Sequence, residues 1–123
     1  MYLFNPEETG VFKYIHPLKK DKVKKLLESA IPDYVDKIIL FGSSLKLYCR
    51  PFSDVDLYFI SEKDHDDIVD EIYTLCKNIG SKFDLLINDN ESFSEGSIEL
   101  NSVESEIQKE GLILYEKETR KPV

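Results

Sequence analysis

Two apolar runs held a set distance apart constrain this chain more than any other feature. The first, Ile38-Ile39-Leu40-Phe41, ends in Gly42-Ser43; ten residues later the second, Val55 to Ile60, is opened by Asp54-Val55-Asp56. Short apolar runs bounded by turn residues read as buried strands. Residues two apart on a strand share a face, so Asp54 and Asp56 form a carboxylate pair, with Val55, Leu57 and Phe59 on the opposite side. Such a pair suits Mg²⁺, which takes hard oxygen ligands and shares them with substrate phosphates. Gly42, lacking a Cβ, lets the backbone turn tightly and approach a ligand closely. Ser43 adds a hydroxyl, and a helix starting there would offer free N–H groups to an anion. A phosphate cradle beside metal-binding carboxylates predicts metal-assisted chemistry on a nucleoside triphosphate.

Size and charge narrow the setting. A chain of 123 residues has room for one core, and seven Phe plus seven Tyr argue for a folded globule. The formal charge of −8 argues against gripping a long nucleic-acid backbone, which needs clustered cations. It does not exclude a nucleotide, because bound metal neutralises phosphates locally. Cys49 and Cys76 match neither a metal-ligand spacing nor a disulfide framework, and read as two partly buried thiols. No signal-peptide pattern and no membrane-length apolar run is present, so a soluble, cytoplasmic protein is expected.

Along the chain, residues 1–17 form an N-terminal extension whose Phe4, Val11, Phe12, Tyr14 and Ile15 are apolar enough to dock on the body. His16 precedes Pro17, so it should be extended; it receives no role. Val23, Leu26, Leu27 and Ala30 predict a helix from Leu18 to about Ile31, with Lys19, Lys20, Lys22, Lys24 and Lys25 on a solvated face. A strand over Lys37–Phe41 follows, then Arg50-Pro51-Phe52 leads into the second strand. Arg50 either reaches a phosphate or pins that loop; the residues leave both open. The acidic run Glu62, Asp64, Asp66 and Asp67, with His65 among them, is read as the first turn of a helix reaching Ile79, with Ser61 or Asp64 as cap and Gly80 past its end. Lys82–Ile87 is a third strand, on which Asp84 faces away from Phe83 and Leu85. Asn88–Ser97 is expected as a polar loop, Ile98–Glu110 as a helix ended by Gly111, and Leu112–Tyr115 as a short edge strand. Residues 118–123 form a C-terminal tail.

The arrangement Gly42-Ser43, ten residues, Asp54-Val55-Asp56, with Arg50-Pro51 and Leu57 around it, resembles the signature of the nucleotidyltransferases related to DNA polymerase β. It is most similar to the minimal, single-domain kind found as antitoxins beside HEPN-type toxins. The resemblance covers residues 20 to 117. It implies a mixed α/β (α+β) nucleotidyltransferase fold over residues 18–117: a small twisted sheet with helices on one face, including a short helix over Ser43–Cys49 into which Leu45, Leu47 and Tyr48 pack. It also implies transfer of a nucleotidyl group, AMP from ATP, to a hydroxyl. Asp54 and Asp56 would hold two Mg²⁺ ions. Asp84 would complete the carboxylate triad and act as general base, the alternative being a plain solvent-facing strand residue. Gly42 and Ser43 would hold the outer phosphates.

The chain departs from the family after Ser43, where Arg-Ala-Arg-Gly is common and Ser44-Leu45-Lys46-Leu47 stands here. Only Lys46 keeps a cation to point at the triphosphate. The acceptor implied by resemblance is a tyrosine of a HEPN-type toxin, because the chain ends just after the minimal core and a partner or second copy must supply the acceptor. Two other readings stay open: an interaction module with the fold but no catalysis, and a homodimeric enzyme acting on a small molecule of the aminoglycoside type.

Overall fold

The computed structural model describes residues 1–62, 65–80 and 82–117. Its centre is a four-stranded mixed sheet in the order β3-β2-β1-β4, built from β1 (Val35–Phe41), β2 (Val55–Ser61), β3 (Phe83–Asn88) and β4 (Leu112–Glu116). β1 runs antiparallel to both β2 and β4, while β2 and β3 are parallel and joined through helix α2 (His65–Asn78). A parallel pair needs such a crossover, because a tight turn cannot return the chain to the same end of the sheet. The fourth strand lies at the edge, as its short apolar run predicts.

Alternation along the strands divides the core into two layers. Ile38, Leu40, Val55, Leu57, Phe59, Leu85 and Ile87 face one way, against Val23 and Leu26 of α1 (Pro17–Glu28) and Ile68, Ile72 and Cys76 of α2. On the other face, Ile39, Tyr58 and Ile60 pack against Phe93 of α3 (Asn90–Ser97) and Ile107 of α4 (Val103–Glu110), the Tyr58 and Phe93 rings meeting edge-on at 5.1 Å. Helices therefore cover both faces of the sheet, not one. The physical reason is that β1 and β2 are apolar at nearly every position, and both sides must be removed from water.

Three local expectations are corrected. The stretch after Gly42 is one 3₁₀ turn over Gly42–Leu45, and of the three residues expected to pack inward only Leu45 is buried. Leu47 and Tyr48 are 67% and 68% exposed. Asn88–Ser97 is no simple loop: the Asp89 carboxylate accepts from the Ser92 amide at 2.7 Å, caps α3, and Phe93 anchors that helix on the sheet. The helix expected from Ile98 starts only at Val103, because Asn101 takes a left-handed φ of 66° and Ser102 caps a fresh start through the Ser105 amide. Ile98 and Leu100 are consequently exposed.

Ser61 is the last residue of β2, and its hydroxyl donates to the Tyr34 carbonyl at 2.7 Å. Asp64 and the side chains of His65, Asp66 and Asp67 lie outside the described residues, as does the tail from 118. Gly80, with φ of 77°, stands just past α2 as its position predicts. Cys49 and Cys76 are buried free thiols. No helix among the described residues is long and apolar enough to cross a membrane.

The N-terminal segment is part of the body. The Asn5 side-chain amide donates to the Phe12 and Ile15 carbonyls at 2.9 Å each, and Ile15 is fully buried in the larger core layer. His16 is extended and caps α1, its Nδ1 accepting from the Leu18 amide at 3.1 Å.

Candidate active site

The sheet register assembles the site at one end of one face. Because β1 and β2 are antiparallel, the end of β1 meets the beginning of β2, and Phe41 pairs with Asp56. Because β2 and β3 are parallel and in step, Asp56 pairs with Asp84. Asp56, Tyr58 and Ile60 share a face, as do Asp84 and Leu86 beside them. α3 and α4 cover the Tyr58 and Ile60 end through Phe93 and Ile107, leaving the carboxylate end clear.

Gly42 follows Phe41 and lies directly against the Asp56 carboxylate. A Cβ at position 42 would overlap Asp56 Oδ2 and stand 3.1 Å from its Cγ, and φ there is 78°. Two independent constraints, left-handed backbone and close approach to a carboxylate, therefore require glycine. Burial, together with the carboxylates of Asp84 and Asp54, pushes Asp56 up to about 6, and a hydrogen bond with Asp84 adds to the effect. The charges of Asp84 and Asp54 both act on Asp56, and a cation placed beside it would offset that repulsion.

Asp54 stands immediately before β2, exposed, where Val55 begins pairing by donating to the Lys82 carbonyl at 3.1 Å. It also lines a cleft of about 320 Å³ with Tyr73, Lys77 and Lys82. Asp84 is exposed on β3 and Ser43 is half-buried in the 3₁₀ turn. Lys46 follows that turn and pairs with Glu110 of α4 at 2.9 Å, a contact that raises the lysine and lowers the glutamate. Lys46 and Gly42 line one cavity of about 190 Å³ with Phe41, Tyr48 and Glu106. Arg50 is exposed, and its backbone is closed into a turn by Ser53 Oγ, which donates to the Arg50 carbonyl and accepts from the Arg50 amide.

Among the described residues no group of three or more His, Cys, Asp or Glu side chains is placed to hold a metal ion by itself. For Mg²⁺ this is no obstacle, since the ion keeps waters and takes substrate phosphates alongside one or two carboxylates. An all-oxygen, all-carboxylate donor set is the kind that Mg²⁺ takes.

One residue was misread from the sequence. Lys19 does not belong to the solvated face of α1; it is fully buried, and its Nζ donates to the carbonyls of Ser53 and Pro51, the latter at 3.2 Å. The signal was present in the spacing. Lys19 precedes Val23 by four residues and Leu26 by seven, which puts it on the buried stripe whatever its charge.

With this geometry in view, comparison with protein families is direct. The family model described as "Polymerase beta, Nucleotidyltransferase" matches residues 21–120, most of the chain, and the protein belongs to that nucleotidyltransferase family. The mixed α/β architecture agrees with it. The curated proteins yield no significant match.

Proposed function

We propose that this nucleotidyltransferase moves AMP from ATP to a hydroxyl on a partner protein, in the manner of an antitoxin acting on a HEPN-type toxin. The observation that carries the chemistry is the meeting of Asp56 and Asp84 across β2 and β3 with Gly42 pressed against the Asp56 carboxylate. Asp54, Asp56 and Asp84 are the residues to hold two Mg²⁺ ions. When bound, such ions neutralise the triphosphate and stabilise the attacking and leaving oxygens of an in-line displacement.

The chain's own residues supply the rest. The acceptor oxygen bonds to the α-phosphorus, the bond to the β-phosphate oxygen breaks, and pyrophosphate leaves. The acceptor's proton goes to the Asp84 carboxylate, the most open of the strand-borne pair. Gly42, with no side chain, admits the outer phosphates close to the backbone, and Ser43 and Lys46 offer them a hydroxyl and an ammonium. The partner-protein reading rests on the resemblance and gains support from Leu47, Tyr48 and Phe52. These three apolar residues are 67%, 68% and 79% exposed on the segment between the 3₁₀ turn and Asp54, where a protein presenting a hydroxyl would touch.

A second reading, a non-catalytic interaction module, draws on the Lys46–Glu110 pair, which occupies the one cation left in the turn region. Incubation with Mg²⁺ and labelled nucleoside triphosphates, with and without the product of the neighbouring gene, separates the two. Label on the partner's tyrosine is the expected outcome. A tight complex that carries no label rejects catalysis, and label on a small molecule alone rejects the protein acceptor.

A further inference from the structure

We infer that Lys19 is a positioning residue, which clamps the peptide entering Asp54 and so sets where the first carboxylate of the metal site stands. This rests on the reading of Asp54 as a metal ligand. The geometry is specific. Asp54 lies between two fixed points: the Val55 amide, bonded to the Lys82 carbonyl at 3.1 Å, and the Ser53 carbonyl, which accepts from Lys19 Nζ. The Ser53 carbonyl belongs to the same peptide group as the Asp54 amide, so the lysine grips the link to Asp54 itself. A second bond, to the Pro51 carbonyl at 3.2 Å, stops the clamp from swivelling. The turn so held is already closed within itself by the Ser53 hydroxyl on Arg50. Lys19 ties that turn to α1.

Packing alone does not account for a lysine here. Position 19 is completely buried on a stripe shared with Val23 and Leu26, where an apolar side chain of similar length would avoid burying a charge. None of the ion pairs found among the described residues involves Lys19; its hydrogen-bond partners are two backbone carbonyls. An ammonium is the one side-chain terminus that can donate to two convergent carbonyls at the end of a four-carbon stem.

The experiment measures Mn²⁺ affinity by calorimetry in wild type, Lys19→Arg, Lys19→Gln, Lys19→Met and the exposed control Lys24→Met, at a temperature where circular dichroism shows each folded. Lys19→Gln and Lys19→Met should bind Mn²⁺ about tenfold more weakly or worse, since the carboxylate is no longer held; Lys19→Arg, which keeps two donors, should recover part of the loss, and Lys24→Met should match wild type. A purely electrostatic role predicts the opposite sign, because removing a buried cation beside Asp54 favours a metal ion. Unchanged or tighter binding in the folded Lys19→Gln protein therefore overturns the inference, even where Lys19→Met fails to fold. If wild type and Asp54→Asn bind Mn²⁺ equally, Asp54 is no ligand, and it is the underlying reading that falls.

Discussion

Replacing Gly42 by alanine tests the site at its tightest point. The substitution does two separable things. It places a side chain on a residue with φ of 78°, which costs about 1–2 kcal/mol for an L-residue in left-handed backbone. It also introduces a methyl that overlaps Asp56 Oδ2 and stands 3.1 Å from Cγ. Relieving the overlap with Oδ2, the nearer of the two atoms, moves that carboxylate by on the order of 1 Å. Misplacement on the order of 1 Å at a reacting centre costs about 10²-fold in rate.

Gly80 supplies the matched control, having φ of 77° with nothing within 4 Å of a built Cβ. Gly80→Ala should therefore show the backbone cost alone, a fall in Tm of roughly 4–8 °C by differential scanning calorimetry, and Gly42→Ala a larger fall because the overlap with Asp56 adds to it. Only Gly42→Ala should lose Mg²⁺-dependent nucleotidyl transfer, by about 10²-fold. Equal transfer by the two variants would refute the claim that close approach to Asp56, and not backbone conformation alone, requires glycine at position 42.

Further outcomes follow from the same geometry. Asp54→Asn should remain folded and lose transfer, checked by circular dichroism beside the labelling assay; wild-type turnover would remove it from the site. Asp56 is raised in the folded chain to about 6 from an ordinary 3.8, so metal-free stability should fall as pH rises through that window and level off above it. Urea denaturation from pH 4 to 7 should show this decline in wild type relative to Asp56→Asn, with the variant the more stable at pH 7 until Mg²⁺ is added. Lys46→Ala should weaken Mg²⁺–ATP binding about tenfold in a calorimetric titration while Lys46→Arg preserves it. Glu110→Gln should tighten binding by releasing Lys46; no change in any of these variants would leave Lys46 a surface residue.

How much of this was readable in the sequence depended on the range of the interaction. The strand pair around Gly42 and Asp54-Val55-Asp56 is legible because each part is local: apolar runs, a turn glycine, alternation of two. Asp84 was placed by context, since its pairing with Asp56 depends on a crossover helix whose length the alternation does not encode. α3 was missed because its stretch, Asn-Glu-Ser-Phe-Ser-Glu-Gly-Ser, is polar and holds one apolar anchor, Phe93; a buried ring on the sheet and the Asp89 cap outweigh weak propensity. The break at Asn101 was hidden because Ile98, Leu100 and Val103 imitate helical spacing while pointing into solvent. Lys19 was misassigned by chemical type although its spacing placed it inside.

The burial of Ile15 and Lys19 bears on how this protein may be divided. The family match begins at residue 21, yet both of these side chains are fully buried, one filling the main core layer and the other holding the turn before Asp54. A fragment trimmed to the family boundary would forfeit about 1.5–3 kcal/mol for the isoleucine alone, a large share of what holds a domain this size together. It would also lose the Asn5 clasp and the cap that His16 provides. The smallest autonomous unit therefore extends upstream of the region that defines its lineage, and shared ancestry and independent folding have different borders in this chain.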